Sequence, residues 1–467
     1  MRPLSSSPPF ADGQSRGERW AVWLLIGLSL LFAIVPDTLS MNELGPEANH
    51  TITQGSMLRQ VQYGSLFLGA AVMVWRHLST AWRNLRAANL FLLLLVAYCL
   101  LSMTWSLYPS ITIKRTVIFA GLVLIGLAVA PPISEPRQFL RVVMGTFTFI
   151  LLVSFLVVIF VPRVGVDSFL GNAWRGITWQ KNVMGAIAGV AALLWLREWL
   201  MNPHHRGLTF LGMLFCAFMM VMSKSATSIL VTTLGAGLYM MTRHRLFGGR
   251  HAGQIVVLAA LLALLYAVLL FFVVAGRMPG VGDIVGPVTA LFNKSSDLTG
   301  RGEIWDMMEI AIDQRPLLGT GYGAFWTGEG GPAQFIIDKL GWVPAHGHNG
   351  YLDILLDMGE VGMALFIGCL LWHVTGIVKL FRIDREDAAM HLAILFIILV
   401  SNISETQILR DTSFQNILFI YSSLAISGRL ASERVQRRAA QRRAAELAAQ
   451  PPRPTAPRFV SQRRAGA

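Results

Sequence analysis

Apolar residues run along this chain in twelve stretches, at about 20–36, 57–75, 88–104, 116–130, 139–161, 183–200, 208–222, 226–242, 254–276, 361–378, 389–403 and 413–427. A helix needs about 20 apolar residues to cross the hydrocarbon of a bilayer, and these runs lie near or a little under that length. Inside hydrocarbon a backbone has to bond within itself, so continuous runs of this kind predict helices. One long interval breaks the pattern: residues 277–360 are rich in Gly, Pro and polar side chains. The pattern predicts an all-α polytopic membrane protein of about twelve transmembrane helices with one long loop outside the membrane. Its parts are a tail at 1–19, nine spans over 20–276, the loop at 277–360, three spans over 361–428 and a basic tail at 429–467.

Composition supports a lipid solvent. The chain is 54% hydrophobic and only 14% charged, with a mean hydropathy of +0.55, whereas soluble domains carry roughly a quarter charged residues. The three cysteines, Cys99, Cys216 and Cys369, each sit inside an apolar run, which predicts buried thiols and no disulfide or zinc framework. The first run, from Trp20 to Val35, has no small-x-small cleavage site after it and reads as an uncleaved anchor.

The net charge of +13 raises nucleic acid as a partner, but much of it lies after residue 428, behind the last apolar run. A topology-setting tail facing an anionic leaflet accounts for that placement without nucleic acid. With the N-terminus in the cytoplasm, the cytoplasmic segments collect 26 of the 39 Lys and Arg, as the positive-inside rule requires. The remainder are Arg59, Lys114, Arg115, Arg163, Arg175, Lys181, Lys224, Arg277, Lys294, Arg301, Arg315, Lys339 and Arg410. They cluster against span ends on the face that orientation disfavours, which points to an anionic ligand there. Snorkelling explains single cases but fits the whole set less well.

The long loop holds the candidate chemistry. In LTGRGEIWDMMEIAIDQRPLLGTGYG, Thr299 can cap a helix that Pro316 stops. The glycine pattern that follows has no strand before it, so it is not a dinucleotide fingerprint. In HGHNGYLDILLDMGEVG, Asn349 caps a second helix that Gly359 ends, with Asp353 and Asp357 on one face. His346 and His348 precede it, and three roles stay open for them. They could hold a metal together with Asp353, bond the loop structurally, or act as a general base, since an imidazole near pKa ~6.5 changes protonation at working pH.

These motifs resemble the O-antigen ligase and polymerase superfamily, most nearly its exopolysaccharide repeat-unit polymerases. The Arg301 segment followed by the His348 segment in one loop carries the resemblance. SMTWSLYPSITIKR, WRGITWQKNVMG and SKSATS resemble its other motifs, and the whole covers about residues 90–425. The resemblance implies a metal-independent, inverting glycosyltransferase of the bacterial inner membrane with no cofactor. It implies a glycan on undecaprenyl diphosphate as donor at the periplasmic face, a glycan hydroxyl as acceptor, and partners among chain-length regulators and export machinery. His348 matches the family's loop histidine and Arg301 its loop arginine.

The residue types suit that reaction. A diphosphate leaving group gains negative charge as the glycosidic bond breaks, and without a metal, guanidinium and ammonium groups have to stabilise it. Arg301, Arg175 and Arg115 are the candidate forks, with Lys181 and Lys224 as point charges. Trp305 and Tyr351 are candidates to stack on sugar, although loop packing explains such aromatics equally well. A ligase that uses the same donor with a lipid A-core or other terminal acceptor is the nearest alternative. A transporter or flippase is more distant, because it would place ionisable groups at mid-membrane.

Overall fold

The computed structural model describes residues 15–37, 56–168, 170–243, 301–410 and 413–449. The expected span at 254–276, the interval 277–300 and the Thr299 cap lie outside those residues. The helices are α1 (Arg16–Ile34), α2 (Met57–Arg76), α3 (Leu78–Ala87), α4 (Leu90–Leu101), α5 (Pro109–Val129), α6 (Gln138–Phe160) and α7 (Lys181–Met201). They continue as α8 (Arg206–Met222), α9 (Ala226–Arg243), α10 (Arg301–Gln314), α11 (Gln334–Leu340), α12 (Gly350–Leu380), α13 (Arg385–Ser401) and α14 (Phe414–Ala449). Among the described residues six helices are long and apolar enough to cross a membrane, or seven when α3 and α4 are taken as one broken span. α13, at 17 residues, is one of the shorter ones, so the count of twelve stands as an expectation.

Apolar burial organises the bundle. On α1, Val22, Leu25, Ile26, Leu30 and Ala33 face the core, spaced at three and four residues. Its start is a capping box in which Ser15 and Glu18 bond each other's backbone amides. The helix therefore begins inside the expected 1–19 tail. Large apolar residues also cover the outside of the bundle, among them Phe149, Leu156 and Phe160 on α6 and Leu208, Leu211 and Val221 on α8. An outward apolar face on helices of this length is a lipid-facing surface. Cys99, Cys216 and Cys369 are buried free thiols, as expected.

Three features depart from the sequence reading. A two-stranded hairpin, Val166–Asp167 with Ala173–Trp174, interrupts the all-α pattern. Gly171 and Asn172 both adopt positive φ at its tip, a geometry those residue types tolerate. The basic tail does not begin as a separate segment at 429, because α14 continues past that point to Ala449 as one helix of 36 residues. Finally, α12 runs through the predicted stop at Gly359 as a broken helix. Gly359 takes φ 62 and ψ −166, a region essentially reserved for glycine.

That break organises the long loop. A kink leaves carbonyls before it and amides after it without helical partners. Here the segment 316–321 supplies them. Leu356 O and Asp357 O accept from Thr320 N and Gly321 N at 3.0 and 2.9 Å, while Glu360 N and Val361 N donate to Pro316 O and Leu317 O at 2.8 and 3.2 Å. Tyr98 Oη donates to Met358 O at 3.0 Å. The loop is thus stitched to the break in a helix that is long and apolar enough to cross a membrane.

The two ends of the bundle differ. At one end Arg137 pairs with Asp384, the buried Arg197 with Asp387, and Arg243 with Glu386. The motifs resembling the family gather at the opposite end.

Candidate active site

His348 is placed by its neighbours on both sides. Asn349 Oδ1 accepts from Tyr351 N and Leu352 N, capping α12. Gly350 N donates to Asn402 O at 2.9 Å, and a Cβ at Gly350 would lie 2.1 Å from Asn402 Oδ1. Only a glycine lets the turn after α13 approach so closely. That turn is held in shape by Asn402 Oδ1, which accepts from Gln407 N and Ile408 N. It brings in Glu405.

Glu405 is the carboxylate of the site. Its Oε2 lies 3.3 Å from His348 Nδ1, and its Oε1 accepts from Asn182 Nδ2 at 2.8 Å. Next to a carboxylate acceptor, Nδ1 carries the imidazole proton, which leaves the lone pair on Nε2. His348 itself adopts φ 54, a left-handed conformation uncommon for residues other than glycine, which marks a position the surroundings impose. His346 Nδ1 accepts from His348 N at 3.1 Å, and the two rings lie 4.2 Å apart.

The loop carrying the histidines is clamped at Gly347. Trp305 Nε1 donates to its carbonyl at 2.9 Å, and its amide donates to both oxygens of Asp353. Asp353 also accepts from Trp326 Nε1 at 2.7 Å and from Thr406 Oγ1. Burial raises the pKa of this carboxyl, against the hydrogen bonds from Thr406, Trp326 and Gly347 and the charge of Arg410. Asp353 is therefore committed to holding the loop. The carboxylate beside the histidines is Glu405, so in the metal alternative left open by the sequence it takes the place considered for Asp353.

One turn further along α12, Asp357 anchors the glycine-rich turn. Burial and the neighbouring Asp353 push it up to about 7, against the charge of Arg115 and hydrogen bonds from Gly323 and Phe325. Arg115 packs against Gly323, where a Cβ would lie 2.3 Å from its Cδ. The segment after α4 docks on the same turn. Trp105 Nε1 donates to Leu318 O, Leu107 N to Thr320 O, and Tyr322 N to Ser102 Oγ.

The remaining predicted cations have defined places. Lys181 opens α7 beside Asn182, and Arg175 leads into it with Nε donating to Val164 O at 2.9 Å. Lys224, at φ 51, donates from Nζ to Gly171 O at 2.7 Å, tying the turn between α8 and α9 to the hairpin. Gly185 lets α7 meet that turn, since a Cβ there would lie within 2.9 Å of Ser223, Ser225 and Ser228. Between them a cleft of about 20 Å³, lined by Asn182, Ser225, Ser228, Ser404, Glu405 and Gln415, has room for one water. Arg301 starts α10, which packs on α12; its side chain lies outside the description.

The structure joins residues that sequence alone kept apart. His348, Asn182 and Glu405 meet in one cluster, with Lys181 adjacent; Arg115 and Asp357 form a second, about two helical turns along α12. Trp305 and Tyr351, the candidates for sugar stacking, have their polar atoms engaged within the protein. Trp305 spends its N–H on Gly347, and the half-buried Tyr351 spends its hydroxyl on Leu399 O at 2.9 Å, so both hold the loop. Glu405 and Asn182 were missed. The usable signal was an acid in a short polar turn at a span end, a costly place for a carboxylate. His346, His348 and Glu405 also form the one set among the described residues with the donor types of a metal site.

Comparison with known proteins gives a family resemblance over part of the chain. Residues 211–367 match the O-antigen ligase family, an interval that includes Lys224, Arg301, His348, Asp353 and Asp357. The exopolysaccharide production protein ExoQ of Rhizobium meliloti is 26% identical over 341 residues, 67% of this chain and 71% of that protein. A Rickettsia prowazekii protein whose name describes a polysaccharide ligase is 31% identical over 91 residues, 19% of this chain and 22% of its own length. The chain is a helical, multi-pass membrane protein that resembles the O-antigen ligase family and relatives named for exopolysaccharide production and polysaccharide ligation.

Proposed function

We propose that this chain is a glycosyltransferase that polymerises undecaprenyl-diphosphate-linked oligosaccharide repeat units at the periplasmic face of the inner membrane. The observation that carries the reading is the arrangement of His348, with Nδ1 facing Glu405 and Nε2 left as the basic atom. An acceptor hydroxyl gives its proton to Nε2 as its oxygen attacks the anomeric carbon. The bond from that carbon to the diphosphate oxygen breaks, and the lipid diphosphate leaves with the electron pair. Attack from the face opposite the leaving group inverts the anomeric centre.

The leaving diphosphate is stabilised by cations at the same end of the bundle. Arg175 brings a guanidinium with five N–H groups, and Lys181 and Lys224 bring ammonium groups with three each. Arg115 and Arg301 complete the set in this reading. The chemistry needs no metal ion, and Glu405 takes the role of stabilising the imidazolium that forms.

Two experiments test it. Purified chain in lipid nanodiscs is incubated with lipid-linked repeat units, and products are sized by gel and mass spectrometry. A ladder of lengths supports polymerisation; a single transfer to lipid A-core makes it a ligase; no transfer removes the enzyme reading. The orientation is checked by labelling Lys339→Cys and Arg385→Cys in intact cells with an impermeant thiol reagent. Labelling of the first alone fits the proposed topology, and labelling of the second alone inverts it.

A further inference from the structure

We infer that His346, His348 and Glu405 form an inhibitory site for a divalent transition ion of the zinc class. The three residues supply two imidazole nitrogens and a carboxylate oxygen, all within 4.8 Å of one another. Tetrahedral zinc bound at ~2.0–2.1 Å places its ligand atoms about 3.4 Å apart. The separation of His348 Nδ1 from Glu405 Oε2, 3.3 Å, already has that value. His346 completes the set by turning its ring, releasing the amide of His348. The donor set, two histidines and a glutamate with a fourth position open, is one that holds zinc in enzymes.

The surroundings favour an ion here. Glu405 and His348 side chains are 9% and 22% exposed, so the ligands are sheltered yet reachable. Asn182 orients Glu405 from behind, as outer hydrogen bonds orient metal-binding carboxylates. The ion takes the place of the proton between His348 Nδ1 and Glu405, and the ring, staying neutral, carries that proton on Nε2 instead.

Inhibition follows from the tautomer. A neutral imidazole that binds metal through Nδ1 has to keep its hydrogen on Nε2. The lone pair that would accept the hydroxyl proton is then gone, and Glu405 is engaged by the ion as well. The inhibitory effect rests on the proposed role of His348; the binding itself does not.

Zn²⁺ binding is measured on the full chain in nanodiscs by competition with a chromophoric chelator, and turnover is measured in the same preparation. The exposed pair His204 and His205 lies in the turn before α8, so a His204→Ala/His205→Ala variant serves as the reference. One equivalent should bind to that variant and be lost in His346→Ala and Glu405→Gln, with folding checked by thermal unfolding. Saturating Zn²⁺ should lower turnover roughly 10²-fold or more, the scale of a lost general base, and chelator should restore it. Equal Zn²⁺ binding in the reference and in both site variants overturns the site. Zn²⁺ that raises the turnover of chelator-treated protein overturns inhibition. Wild-type turnover in His348→Ala removes the base reading and with it the inhibitory mechanism, while the binding comparison still decides the site.

Discussion

Asn182→Ala tests the relay from two steps away. Asn182 touches no reacting atom in this reading; it donates one hydrogen bond of 2.8 Å to Glu405 Oε1. Glu405 is almost fully buried, and a hydrogen bond to a charged group contributes about 1.5–3 kcal/mol. Truncation leaves the carboxylate free to swing from His348, which then loses the partner that fixes its tautomer. With 1.4 kcal/mol per tenfold, that energy corresponds to a fall in turnover of about 10–100-fold. Donor KM should change little, because the diphosphate is held by the cations. Initial rates of polymerisation across donor concentrations separate the two parameters. Turnover within twofold of wild type in Asn182→Ala, with His348→Ala inactive in the same assay, would show that Glu405 needs no support and refute the relay.

Gly359→Ala should undock the long loop, because a Cβ there would lie 2.3 Å from Leu317 O at a backbone angle only glycine adopts readily; increased protease cleavage near 316–330 and loss of turnover, at unchanged helical content by circular dichroism, is the expected result. Asp357, raised to about 7 by burial first, binds its proton more tightly folded than unfolded. Its contribution to stability is thus fully present at low pH and is lost as pH rises from about 4 to about 7. Asp357→Asn should flatten that part of the thermal-stability profile, and an unaltered profile would refute the assignment. Arg301→Lys should impair turnover nearly as much as Arg301→Ala, since lysine keeps charge without the planar fork; full activity in the lysine variant would show that charge alone suffices.

The helices were legible because lipid-facing and core-facing positions are both apolar, so each appears as a continuous run. The Asn349 cap, the end of α10 before Pro316 and the discontinuity at Gly359 were legible because each depends on the local chemistry of one residue. The site was only half legible. His348 sits in a motif, whereas Glu405 reaches it through a turn whose shape depends on Asn402 and on the missing side chain of Gly350. Nothing periodic marks such a contact. The internal hydrogen bonds of Trp305 and Tyr351 were not legible, because an aromatic in a loop looks the same in sequence whether its polar atom is spent inside or offered to a ligand. The continuation of α14 was hidden by the loss of apolar residues after 427, although its alanines and arginines are good helix formers.

The span between Asn182 and Glu405, 223 residues along the chain, has a consequence for biosynthesis. At about 5–20 residues per second, Asn182 leaves the ribosome roughly ten to forty seconds before its partner does. α7 is therefore synthesised well before the turn that completes the histidine cluster exists. A chain interrupted between the end of α12 and Glu405 carries Arg115, Arg175, Lys181, Lys224, Arg301 and His348 but has no Glu405 to brace the histidine. On the proposed function, such incomplete chains would hold a lipid diphosphate without turning it over, and full activity would report that the last helices have been made and packed.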